Sequence, residues 1–202
     1  MKLLFATRSA GKQREVRRLL EAAGHEVLFP DDAGIPETGA EDGLEVADSF
    51  EANARAKAEY FARKCGLPTI ADDSGLEVFY LGGQPGVRSK RWAGATGTTA
   101  QVDAANNAEL LRRLRGAPAL KRRARYRCVL VFLRTPTAVP AVFEGDCAGR
   151  MLEEATGTGG FGYDPYFFCD ALEKSFGEAS IEEKETVSHR GQALTALVAA
   201  LG

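Results

Sequence analysis

Residues 2–29 set an apolar run, a turn, an amphipathic helix and a second apolar run in close succession. That order confines the chain to folds in which helices pack on a sheet. The first strand is read over 2–6, and a turn follows at once. Val16, Leu19, Leu20 and Ala23 then fall at i, i+3, i+4 and i+7 on one helix face. Gly24 is a natural stop for that helix, and His25–Phe29 fits the second strand.

Further along, residues 30–48 are rich in Asp, Glu, Gly and Pro and read as a long acidic loop. Ser49 can cap a helix whose apolar face carries Phe50, Ala54, Ala58 and Phe61 and which ends near Gly66-Leu67-Pro68. Thr69–Asp72 reads as a strand that stops on acidic residues, with Leu76–Tyr80 its continuation beyond Ser74-Gly75. A glycine-containing loop over 82–98 leads to a helix from about Thr99 to Arg115. Two long strands, about 124–134 and 139–149, joined through Thr135-Pro136-Thr137, suggest an antiparallel hairpin. A short strand is expected near Tyr166–Cys169, and a last helix carries Leu194, Leu197, Val198 and Leu201 on one face. The pattern is α/β: a mixed sheet flanked by helices, one domain over 1–202 in two lobes.

Charge and composition narrow the function. Lys and Arg number 26 against 28 Asp and Glu, a net charge of −2, which argues against a nucleic-acid-coating protein. The basic run Lys121–Arg127 alternates Arg125 and Arg127 with Tyr126 and Cys128 and reads as the solvated end of a strand. No apolar run approaches the ~20 residues of a membrane helix, and the apolar stretch at the start is too short for a signal peptide. Cys65, Cys128, Cys147 and Cys169 form no C-x-x-C pair, so they are expected to be reduced cytosolic thiols serving as small apolar residues. His25 and His189 are too few for a histidine-rich metal site.

Four segments carry chemistry. Ala6-Thr7-Arg8-Ser9-Ala10-Gly11-Lys12 lies between the first strand and helix, where backbone N–H groups and a lysine can meet an anion. It is not a Walker motif, because Ala6 and Gln13 replace the glycine and the metal-ligating hydroxyl that motif requires. Ala71-Asp72-Asp73-Ser74-Gly75 offers two adjacent carboxylates that a strand must point to opposite faces, and oxygen ligands suit Mg²⁺. In Gly157-Thr158-Gly159-Gly160-Phe161-Gly162-Tyr163-Asp164-Pro165 the glycines point to close backbone approach to a ligand, with Phe161 or Tyr163 available to stack on a base. In Lys184–Arg190, Ser188 reads as a helix N-cap. His189 and Arg190 then sit in a first turn that disfavours cations, unless they face an anion or a purine carbonyl.

In order and spacing these segments resemble the inosine triphosphatase family, the XTP/dITP pyrophosphatases of deaminated purine nucleotides. The resemblance runs from Leu4 to about Leu194. It rests on A-T-x-x-x-x-K-x-x-E at 6–15, F-x-x-N-A-x-x-K-A at 50–58, A-D-D-S-G at 71–75, P-G-V-x-S-x-R at 85–91, G-T-G-G-F-G-Y-D-P at 157–165 and S-H-R-x-x-A at 188–193. It implies a cytoplasmic homodimer with an elongated mixed sheet and a nucleotide cleft between two lobes, without nucleic-acid or membrane partners. It also implies Mg²⁺-dependent hydrolysis of ITP, XTP and dITP to the monophosphate and pyrophosphate. By position, Thr7, Arg8, Ser9, Ala10, Gly11 and Lys12 would bind the phosphates, and Asp73 would accept the proton and hold metal with Glu45. Ser74 would touch substrate, Phe161, Gly162, Tyr163, Asp164 and Lys184 would line the nucleotide site, and His189 and Arg190 would read the base. Glu37, Glu41 and Asp42 compete with Glu45 for the metal, and Arg8 stands where the family commonly has glycine. The alternatives are a Maf-like pyrophosphatase of modified nucleotides and a non-catalytic purine-nucleotide sensor. The S-H-R and F-G-Y-D segments weigh against the first, and the set Asp73, Lys12 and Lys184 against the second.

Overall fold

In the computed structural model, which describes residues 1–202, the chain opens with β1 (Lys2–Phe5), α1 (Ala10–Ala22), β2 (Glu26–Leu28), α2 (Phe50–Cys65), β3 (Thr69–Val78) and α3 (Thr99–Arg113). It continues with β4 (Arg123–Leu133), β5 (Ala141–Met151), β6 (Phe167–Cys169), β7 (Lys174–Ser175), α4 (Ile181–Val187) and α5 (His189–Leu201). The strands form one mixed sheet in the order β2-β1-β3-β4-β5-β6-β7. β1 runs parallel to β2, with Leu3 opposite Val27, and parallel to β3, with Phe5 opposite Ile70. β6 is antiparallel to both β5 and β7. The expected mixed α/β architecture is therefore present.

Two compact units divide the chain, the first over 1–73, 128–145 and 190–202 and the second over 74–127 and 146–189. In the first, strand alternation feeds two separate cores. Leu3, Phe5, Ile70, Leu130 and Phe132 pack with Val16 and Leu20 of α1 and with Leu194 and Leu197 of α5. Leu4, Ala71, Val131 and Leu133 pack with Ala54, Ala58 and Phe61 of α2. Most of these side chains are fully withdrawn from water, and each contributes about 1.5–3 kcal/mol where it is Leu, Ile, Val or Phe. The second unit has its own core, in which Leu110 and Leu114 of α3 meet Leu76, Val78, Phe167 and Phe176. Tyr126 lies in that core with its ring edge-on to Phe167 at 4.7 Å.

Local signals explain the helix ends. Ser49 accepts a hydrogen bond from the Ala52 N–H at 3.2 Å, and Gly66 closes α2 at φ +68°, a conformation side chains resist. Thr98 and Gln101 form a reciprocal capping box on α3.

The structure departs from the sequence reading at β3, which does not stop on its acidic residues. The strand runs unbroken from Thr69 to Val78, so Asp72 and Asp73 sit mid-strand rather than at an end. Gly75 makes this continuity possible. A Cβ there would lie 2.3 Å from the Gly86 carbonyl oxygen and 2.5 Å from Ser89 Oγ. Ser89 Oγ accepts from the Leu76 N–H at 2.8 Å and donates to Gly86 O at 2.6 Å. Tyr80 falls outside the strand, in the 3₁₀ turn Phe79–Leu81. The short β7 and α4 were not anticipated.

The basic run also departs from a simple solvated edge. Arg122 is buried and donates to the carbonyl oxygens of Leu114, Met151 and Leu152, while Arg123 pairs with Asp170 at 2.7 Å and Arg125 with Glu77 at 2.6 Å. None of the cysteines is in a disulfide, and three of the four are buried, with the Cys128 thiol pushed up to about 12 by burial and the neighbouring Asp72. No helix is long and apolar enough to cross a membrane.

Candidate active site

Adjacent residues on a strand face opposite ways, and in β3 this gives Asp72 and Asp73 different surroundings. Asp72 is fully buried and meets Lys12 Nζ at 2.9 Å and the Arg190 guanidinium at 3.2 Å. Burial alone would raise its carboxyl, but Lys12, Arg190 and Lys57 hold it well below the usual carboxylate range. Asp73 turns toward α2, where Asn53 Nδ2 donates to its Oδ2 at 2.8 Å. Its carboxyl is raised. Desolvation and nearby Glu45 outweigh the pull of Lys57 and Lys12.

Asn53 and Lys57 stand one turn apart on α2, a spacing that shares one helix face. Asn53 exchanges hydrogen bonds with the backbone of Ala47, accepting from its N–H at 2.9 Å and donating to its oxygen at 3.3 Å. Lys57 donates to Glu45 Oε1 at 2.5 Å and to the Asp72 carbonyl oxygen. One helical face thus fixes the acidic loop and both aspartates of β3. Burial would raise the Glu45 carboxyl, yet Lys57 and Lys12 draw it down to about 2, so it is ionised at neutral pH.

The phosphate-loop residues divide. Ser9 precedes α1 with extended backbone, which puts Ala10, Gly11 and Lys12 in the first helical turn, where N–H groups lack helical partners. The Ser9 N–H donates to Thr7 Oγ1 at 3.2 Å, and Gln13 Nε2 donates to Thr7 O at 3.2 Å. Lys12 reaches Asp72. Arg8 is turned away to the acidic loop, donating to both Glu41 oxygens at 2.8 and 2.7 Å, to Ile35 O at 3.1 Å and to Asp31. That engagement separates the competing acids. Glu41 is held by Arg8, Glu37 and Asp42 are exposed, and Glu45 faces Lys57.

A cation fits this set. Glu45, Asp72 and Asp73 gather carboxylate oxygens around Lys12 and Lys57, with Glu15 and Arg190 bound into the same cluster. Every acidic donor is a hard oxygen. No three metal-ligating side chains converge, so Glu45 and Asp73 could hold a divalent ion only with oxygens from water or a ligand. Mg²⁺ is commonly bound to nucleotide phosphates in this way.

The second unit contains the remaining candidates. Lys184 Nζ is buried, 2.6 Å from Asp164 Oδ2 and 4.8 Å from the centre of the Phe161 ring. Asp164 also accepts from the Phe161 N–H at 2.8 Å and from the Tyr126 hydroxyl at 3.2 Å. His189 stacks on Tyr126, with ring centres 4.8 Å apart and ring planes nearly parallel. Tyr163 donates to Ser89 O at 2.8 Å, and burial pushes its phenol up. Ser74 is half-buried in β3.

Two sequence readings need correction. The glycines at 157 and 160 are explained by the chain's own packing rather than by a ligand. A Cβ would lie 2.2 Å from Gly177 at the first and 2.2 Å from Asp164 Oδ2 at the second, and both have positive φ. The cation at the start of α5 is also not left for an outside anion to satisfy. Arg190 is almost wholly buried and donates to Asp72 and Glu15 in the first unit, which offsets the unfavourable helix dipole.

Asn53, Lys57, Glu15, Asp103 and Asn107 were not singled out as functional from the sequence. Asn53 and Lys57 did leave a signal, as polar residues one turn apart among Phe50, Ala54, Ala58 and Phe61 on the apolar face of α2. Glu15 closes the A-T-x-x-x-x-K-x-x-E segment, while Asp103 and Asn107 left no signal.

The sequence model of the Ham1 family matches residues 3–200. The chain is 46% identical over 199 residues to a dITP/XTP pyrophosphatase of Thioalkalivibrio sulfidiphilus, covering 98% of this chain and 97% of that protein. It is 43% identical over 201 residues to the dITP/XTP pyrophosphatase of Escherichia coli O157:H7, covering 99% and 98%. Among solved structures, a HAM1 protein from Coxiella burnetii superposes with a TM-score of 0.85 at 32% identity, covering 100% of this chain and 98% of that one. A nucleoside-triphosphatase, dITP/XTP pyrophosphatase, from Mycobacterium abscessus gives 0.70 at 40% identity, covering 98% of both.

Proposed function

This chain belongs to the Ham1 family, and from that premise we propose that it is a Mg²⁺-dependent pyrophosphatase of deaminated purine nucleoside triphosphates. Its products are the nucleoside monophosphate and pyrophosphate, which keeps XTP, dITP and ITP out of nucleic acid. The observation that carries the chemistry is the Asp73 carboxyl, desolvated and raised, held by Asn53 in reach of the fields of Lys12, Lys57 and Glu45.

In this reading Asp73 takes the proton from the water that attacks the α-phosphorus, the α–β bridging bond breaks, and pyrophosphate leaves. A raised carboxyl is the better base for that task. Glu45 and Asp73 hold Mg²⁺, which when bound neutralises triphosphate charge. The first-turn N–H groups of α1 and the Thr7 and Ser9 segment bind phosphate oxygens. Lys12 is shared between Asp72 and the phosphates. Asp164 and Phe161 restrain Lys184, and Phe161 stacks on the purine. His189 offers a donor to a 6-oxo group, where adenine presents an amino group and would leave two donors opposed. Arg190 holds Asp72 in place.

Residues 1–202 act here as a single pyrophosphatase domain, in a cytoplasmic homodimer with no nucleic-acid or membrane partner. The pairing of Arg123 and Arg125 with acids of the chain itself supports the absence of nucleic acid. The test is pyrophosphate release from dITP, XTP, ITP, dATP, dGTP and dUTP, with and without Mg²⁺. Fast, Mg²⁺-dependent release from the first three and little from the others is expected. A preference for pyrimidines points instead to a Maf-like activity, and tight binding of ITP without turnover points to a sensor.

A further inference from the structure

The loop that carries Phe161 is gripped from outside by α3. Asp103 Oδ2 accepts the Gly162 N–H at 3.0 Å, and Asn107 Nδ2 donates to the Gly162 carbonyl oxygen at 2.9 Å. Asp103 and Asn107 stand four residues apart, on one face of the helix. They therefore take both polar groups of one residue. Gly162 has φ +63°, nothing lies within 4 Å of where its Cβ would be, and both its backbone polar groups are engaged by α3. Asn107 keeps its bond while its Oδ1 stays buried without a hydrogen-bond partner. A side chain serving only the helix surface would turn that oxygen toward water, because a buried unsatisfied acceptor is costly.

The same helix fastens a second loop from the next position. Asn106 accepts from the Ala93 N–H at 2.8 Å and donates to Lys90 O at 2.9 Å. Tyr163, adjacent to Gly162, donates to Ser89 in that loop. α3 thus serves as a rigid rail for the backbone on either side of Phe161.

We propose that Asp103 and Asn107 are positioning residues for the purine, acting through Gly162 to set the plane of the Phe161 ring. The proposal rests on the reading of Phe161 as the base-stacking residue. Stacking uses the face of a base and not its edge. Loosening the grip should therefore weaken binding of every purine triphosphate alike, and leave the groups that break the phosphoanhydride untouched.

The Asp103→Ala variant is expected to raise KM for dITP and for XTP by about tenfold each with kcat within about twofold, a loss of uniform binding. Asp103→Asn should restore KM, since an amide oxygen can accept the same N–H. Asn107→Asp should behave like Asp103→Ala, because a carboxylate cannot donate to the Gly162 carbonyl. Equal effects of Asp103→Ala and Asp103→Asn, or a fall in kcat at unchanged KM, would overturn the proposal. Hydrogen exchange of the Gly162 amide in the nucleotide-free protein tests the grip independently of turnover. It should quicken in Asp103→Ala and return in Asp103→Asn, and an unchanged rate overturns the proposal even in an active enzyme. Wild-type protein that releases no pyrophosphate, with Gly162 exchange responding as stated, would instead place the failure in the proposed function.

Discussion

Asp73→Asn should lower kcat for dITP by about 10²–10⁴-fold, the range expected when a positioned base is removed. The same change should leave the melting temperature unchanged or raise it slightly. Both expectations follow from one fact. The Asp73 carboxyl is raised in the folded protein because burial and Glu45 outweigh the nearby lysines. Its charged form is therefore less comfortable folded than unfolded, and the fold gives up stability near neutral pH to keep it. An amide of the same shape removes that cost and can still accept from Asn53. Sites that sacrifice stability for activity behave in this way. Steady-state pyrophosphate release and thermal unfolding on the same preparation check it. Turnover near the wild-type rate would remove Asp73 from its role, and a large fall in melting temperature would contradict its electrostatics.

The neighbouring substitution should do the reverse. Asp72→Asn is expected to cost about 3–5 kcal/mol of stability, because one partner of a buried ionic cluster disappears and the others remain. Arg190 is 2% exposed and Lys12 would face an amide in place of a carboxylate. The acid dependence gives a second measurement. The folded Asp72 carboxyl lies well below its unfolded value. Its contribution is therefore fully present above about pH 4, the usual carboxylate value, and is lost as pH falls through the lower folded value. Urea unfolding between pH 7 and pH 3 should show a steep loss in the wild type on the acid side and a shallower one in Asp72→Asn. Two adjacent aspartates would then be separated cleanly, one kept for reaction and the other for structure.

What could be read from the sequence followed the range of the forces involved. Ser49 as a cap, Gly66 as a stop and the alternation of Leu3 and Phe5 against Leu4 act over a few residues, so the string itself carries them. The same is true of the A-D-D-S-G and G-T-G-G-F-G-Y-D-P segments. The continuity of β3 through Ser74-Gly75 was hidden because it depends on Gly86 and Ser89, which only the fold brings against Gly75. The buried partners of Arg190, Glu15 and Asp72, are far from it in the chain, so their pairing with it was hidden although each stands in a recognisable segment. Asp103 and Asn107 are ordinary polar residues on a helix until the backbone of Gly162 arrives beside them. The short strand β7 and the helix α4 are too brief for periodicity to declare them.

Arg8 carries a consequence for how this sequence can change over descent. Its side chain is 17% exposed and that of Glu41 15%, and they meet through two parallel hydrogen bonds. Replacing Arg8 alone takes away the partner of Glu41, whereas replacing Glu41 alone leaves Arg8 its bonds to Asp31 and to the Ile35 oxygen. Loss of the arginine should therefore harm more than loss of the acid, and the double replacement should cost less than the sum of the two.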